Sequence, residues 1–209
     1  MDDKSQLCAN MTFGARSFFH KYKLPLISAF VFLLGLLLGA FAVSLSSEGD
    51  FFGILPLVKS SILSRKSSPF HIIFLTSLSV SLSYLLLIFL SALSAFGWLF
   101  CPIILLIRGF STGLISGSLY SGYSLSGVGF YVLILLIPYF ILSYTLVFAA
   151  SDGISLSFRI FSAVFTQSPQ QIRLNRFYAC RYLIYFAFCI VSSLVDAVLS
   201  ACFINFFSF

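Results

Sequence analysis

The chain has 209 residues, 60% of them hydrophobic and 9% charged, with 12 lysines and arginines against 6 acidic residues and a mean hydropathy of +1.07. That balance excludes a soluble domain of this size and requires lipid as the solvent. No polar stretch is long enough to build a separate core, so a dedicated soluble catalytic domain is excluded as well.

The apolar length divides into five stretches, each sufficient for about 30 Å of hydrocarbon, which predicts an all-α polytopic transmembrane bundle forming one domain over residues 1–209. The first span is read over 24–45, with Pro25 in its opening turn and Gly35 and Gly39 forming a small-residue face suited to close helix packing. Ala40-Phe41-Ala42 resembles a signal-peptidase site, but the apolar run before it is too long, so the segment reads as an uncleaved anchor. Residues 46–69 form the expected outer loop, in which Phe51 to Val58 is apolar enough to lie at the interface.

The second span is placed at 70–93 and the third at 96–120, joined by a tight connection around Ala95 to Trp98. Pro102 falls early in the third span, where it is tolerated, and Tyr123 to Gly129 supplies turn residues. The fourth span, 130–150, contains Pro138, which predicts a kink and a carbonyl released to a neighbouring donor. Residues 151–181 read as a polar loop, with Ile154 to Phe165 as a helical continuation or an interfacial helix. The last span is placed at 182–206.

Basic residues concentrate in the short flanks on the cytoplasmic side of membrane proteins. With the N-terminus inside, Lys4, Arg16, Lys21, Lys23, Arg159, Arg173, Arg176 and Arg181 lie on that side, against Lys59, Arg65 and Lys66 outside. Eight against three predicts N-in, C-out, and gives the net charge of +6 a topological origin in contact with anionic lipid. No basic stripe on a soluble domain points to nucleic acid.

Arg108 stands inside the third span and Asp196 is the acidic residue at comparable depth in another. At 1.5 Å per residue they lie about 18 Å and about 21 Å beyond the inner ends of their helices, within side-chain reach. An unpaired central arginine costs from about 3 to more than 10 kcal/mol, so the first expectation is an intramembrane ion pair that orients two helices. A polar transport path is the alternative. Gly109, Gly113 and Gly117 line one face of the same helix, a groove for another span, a partner or a second copy of the chain.

Catalytic readings fare poorly. Gly109-Phe110-Ser111-Thr112-Gly113 matches the bare G-x-S-x-G pattern, but mid-span it lacks the strand-to-helix elbow and a histidine base, since His20 and His71 flank the first and second spans. Cys8, Cys101, Cys180, Cys189 and Cys202 have no C-x-x-C spacing, and Asp196 has no second acid for a dyad. No enzyme activity, metal or cofactor is expected.

The run Phe-Gly-Trp-Leu-Phe-Cys-Pro-Ile-Ile-Leu-Leu-Ile-Arg-Gly-Phe-Ser-Thr-Gly-Leu-Ile-Ser-Gly from Phe96 to Gly117, followed by a Ser/Gly turn and a proline-containing span, resembles the stage II sporulation protein M family. Arg108, Gly109, Gly113, Gly117, Gly127 and Pro138 are the matching positions, and the likeness covers roughly Phe70 to Phe165. Many relatives have polar residues after the proline, where this chain has Tyr139 and Phe140. The resemblance implies a multi-pass scaffold of the bacterial cytoplasmic membrane in spore formers. It would recruit the peptidoglycan-degrading stage II sporulation proteins D and P to the septum during forespore engulfment. The outer loop and the Gly109 groove are the candidate contact sites.

Overall fold

The computed structural model describes residues 3–45, 69–165 and 176–203, with side chains at 23–45, 69–121, 129, 131–161, 178 and 180–203. Among these residues the secondary structure is entirely helical: α1 (Asp3–Leu45), α2 (Phe70–Leu93), α3 (Gly97–Phe130), a π-helical segment (Tyr131–Leu135), α4 (Leu136–Phe165) and α5 (Arg176–Phe203). Five stretches are long and apolar enough to cross a membrane: Lys23–Leu45, Phe70–Leu93, Gly97–Ser121, Tyr131–Phe161 and Cys180–Phe203. The chain is a multi-pass helical membrane protein by that measure.

Several boundaries differ from the sequence reading. Helix α1 begins at Asp3, so Pro25 lies inside the helix instead of in its first turn. Helix α4 runs unbroken past Ala150 to Phe165, so of the two readings of Ile154 to Phe165 the helical continuation holds, and the expected polar loop is shortened at its start. Hydropathy falls after Ala150 while the helix does not end, because Asp152 and Ser157 find partners on neighbouring helices. The expected turn at 123–129 falls within the bounds of α3. Leu119 nevertheless packs in one cluster with Ile134 and Leu135, so the chain folds back between α3 and α4. The expected outer loop, apart from Pro69, lies outside the described residues.

Pro69 starts α2. Its ring holds an extended backbone (φ −66°, ψ 155°), and its carbonyl accepts from the N–H groups of Ile72 and Ile73 at 3.0 and 3.3 Å. Ser94 ends the helix in an extended conformation, and three residues later the chain enters α3 at Gly97. This turn is closed from outside the hairpin: the Ser157 hydroxyl of α4 donates to the Ser94 carbonyl at 2.8 Å and accepts from the Trp98 N–H at 2.9 Å. Gly97 makes the approach feasible, since a Cβ there would land on the Ser91 carbonyl.

One apolar core threads all five helices, with Phe32, Ile88, Leu105, Leu146 and Cys189 among its buried members. Lipid is as apolar as these side chains, so association rests on packing density and interhelical polar contacts rather than on escape from water. Helix α4 is the central element, packed against each of the others. Helix α5 lies on α2 and α4 and makes no close packing with α3.

Candidate functional site

The sequence left open which helix fills the Gly109 groove; in the structure α1 fills it. A Cβ on Gly109 would land on the Phe32 carbonyl and one on Gly113 on the Leu36 carbonyl; in return, Gly35 faces the Leu106 carbonyl and Gly39 the Phe110 carbonyl. Gly117 faces the Val43 side chain at 3.0 Å. Residue numbers rise together on both helices, so α1 and α3 run parallel, as two spans separated by one antiparallel crossing must. Two small-residue faces thus interlock backbone to backbone inside one chain. As a surface for a partner or a second copy, the groove is already occupied.

Arg108 is buried behind this seam, at 7% exposure. Its guanidinium lies between two rings, with Cζ 4.9 Å from the Tyr84 centroid on α2 and 5.4 Å from the Tyr139 centroid on α4. A desolvated cation–π contact contributes about 2 kcal/mol, so two offset the lower estimate of the arginine's insertion cost, about 3 kcal/mol, but not the upper one above 10. Neither tyrosine was read from the sequence as a partner of the arginine. Their signal was their position inside spans, away from the interfaces where tyrosine usually collects.

Asp196, fully buried on α5, belongs to a polar interior face with Ser192, Ser193 and Ser200. The Ser192 hydroxyl donates to the Pro138 carbonyl at 2.8 Å, one residue before Tyr139. Asp196 follows four residues later, about 6 Å along the axis. Helix α5 packs on the two helices whose tyrosines hold the guanidinium, so Asp196 is buried on a neighbour of both ring-bearing helices. The π-helical segment ends three residues before Pro138, where the missing N–H and the ring disturb the regular ladder. The carbonyl engaged by the neighbouring helix is that of Pro138 itself.

A second polar cluster lies toward the other end of α4. Both Asp152 carboxylate oxygens are engaged: Arg181 Nη1 donates to Oδ1 at 2.7 Å and the Tyr185 hydroxyl to Oδ2 at 2.6 Å. Tyr182 donates to the Ala149 carbonyl at 3.2 Å and packs edge-on against Phe89. These contacts pin the start of α5 to α4. Sequence reasoning placed Asp152 and Arg181 in a loop and missed their pairing, because a separation of 29 positions conceals it.

The Ser111 hydroxyl turns back to its own helix, donating to the Ile107 carbonyl at 3.3 Å, and sits in no nucleophile elbow. Among the described residues no three His, Cys, Asp or Glu side chains converge. Cys101 and Cys189 are buried in the core, whereas Cys180 and Cys202 are exposed. The fold and its polar interior define an integral membrane bundle of five candidate spans. No family model, curated protein or solved structure matches the chain.

Proposed function

We propose that the chain is a non-enzymatic membrane anchor that gathers partner proteins at the bacterial cytoplasmic membrane. The observation that carries this reading is the use made of the interior polar groups. Ser157, Ser192 and the Asp152–Arg181–Tyr185 cluster each tie one helix to another, and the small-residue faces interlock within the chain. A bundle braced in this way suits positioning rather than turnover. The Arg108–Asp196 pair fits the same reading as a further brace, reaching across the interior between helices that do not pack directly.

The partners follow from the resemblance of Phe70 to Phe165 to the stage II sporulation protein M family: peptidoglycan-degrading enzymes like stage II sporulation proteins D and P, recruited during engulfment. With the Gly109 groove taken by α1, such partners would dock on the outer loop and the lipid-facing helix sides. N-in, C-out orientation is supported by Lys23, Arg159 and Arg181, which fall at one end of the bundle, where the first and fifth spans begin and the fourth ends. Deleting the chain in a sporulating host should release tagged wall hydrolases from the septum while leaving their amounts unchanged. Continued septal localisation would remove the recruiting role.

A transporter or channel subunit is the second reading. It is favoured by one specific arrangement, a buried arginine between two tyrosines beside a π-helical segment and a proline, since intramembrane charges and π-segments concentrate at functional sites. Ion or solute flux in liposomes, abolished by Arg108→Gln, would support it over the anchor.

A further inference from the structure

A lateral groove of about 710 Å3 opens between α1 and α4. Its wall runs along α1 from Pro25 to Leu36 and along α4 from Phe148 back to Leu136 and on to Tyr131 of the π-helical segment, with Thr112 of α3 also lining it. The eleven steps of helix from Pro25 to Leu36 rise about 16 Å, close to one leaflet, half of the roughly 30 Å hydrocarbon core. Two hydroxyls on the wall are already used by their own helices: Thr112 donates to the Gly109 carbonyl and Ser143 to the Tyr139 carbonyl, both at 2.7 Å. The rest of the lining is aliphatic, phenylalanine and tyrosine side chains.

We infer that this groove is a binding site for one acyl chain of a membrane phospholipid, drawn from the leaflet at the Pro25 end. The occupant's chemistry follows from the setting. Both walls are membrane-spanning segments, so hydrocarbon is what the groove meets. Its length matches a single chain, its serine and threonine hydroxyls are spent within their own helices, and its lining carries no charged side chain to hold a headgroup at depth. A chain held between two helices differs from one in the surrounding lipid shell because it touches protein on both sides, which multiplies its dispersion contacts.

The test compares equally exposed positions. Leu33, Phe140 and Tyr144 in the groove are 54%, 70% and 55% exposed, against 57%, 49% and 55% for Leu86, Leu87 and Leu90 on the outer side of α2. The protein is reconstituted into liposomes containing a phospholipid with a photoreactive diazirine in one acyl chain, and labelled residues are mapped by mass spectrometry. Groove labelling several-fold above that on α2 is expected, falling to the α2 level in Ala29→Phe and in Leu33→Trp while α2 labelling stays constant. That constancy shows the variants are folded. Equal labelling of groove and α2 in the parent protein, or groove labelling at Phe140 and Tyr144 unchanged in both variants, would overturn the site.

Discussion

Replacing Gly113 with alanine is the sharpest perturbation of the α1–α3 seam. The new methyl group would land on the Leu36 carbonyl, with the Ala40 nitrogen at 3.0 Å, and neither atom can rotate aside because both are backbone. The helices must separate, losing contact along the whole interlocked length. Overpacking costs typically 1–3 kcal/mol, and a backbone obstacle puts Gly113→Ala at the top of that range, about 3 kcal/mol. At 1.4 kcal/mol per decade this is roughly 100-fold in the folding equilibrium. Gly117→Ala supplies the control on the same helix face. Its methyl would meet the Val43 side chain at 3.0 Å, which can shift, so the cost should stay near 1 kcal/mol. Unfolding by sodium dodecyl sulfate in mixed micelles, followed by circular dichroism, measures both. Equal midpoints for Gly113→Ala and the parent protein, or equal losses for the two variants, would refute the seam.

Three further perturbations probe the polar links. Ser157→Ala removes the donor and acceptor that close the α2–α3 turn and should cost about 1–3 kcal/mol, read as the same unfolding midpoint. Asp152→Asn should cost less, about 0.5–1 kcal/mol for the lost ion pair, because the Arg181 side chain is 59% exposed and screened; a loss above 3 kcal/mol would show the pair to be more enclosed than this. If Arg108 and Asp196 act as a brace, Arg108→Asp combined with Asp196→Arg should recover monodisperse protein lost in either single change, whereas a double variant as unstable as the worse single would dismiss the pair.

The span count, the hairpin at Ala95 to Trp98 and both glycine faces were legible because hydropathy and four-residue spacing are local properties of the chain. The mate of each face was not, since Gly35-xxx-Gly39 and Gly109-xxx-Gly113-xxx-Gly117 carry no mark of which helix they meet. Arg108 and Asp196 stood out as charges within apolar runs. Tyr84 and Tyr139 did not, because a tyrosine within a span looks like any other large side chain until the arginine is seen against it. The sequence left open whether the fourth helix continues beyond Ala150, for a related reason. Asp152 lowers the local hydropathy, but its charge is met by Arg181 and Tyr185, so the helix continues past it to Phe165.

Affinity capture tests the anchor reading most directly. The tagged chain is extracted from native membranes in mild detergent, from growing and from sporulating cells, and co-purifying proteins are identified by mass spectrometry. Wall-degrading enzymes recovered from sporulating cells alone are the predicted result. Stable recovery of an ATPase or a solute-binding subunit, with no wall hydrolase in either condition, would contradict the anchor and move the function to transport.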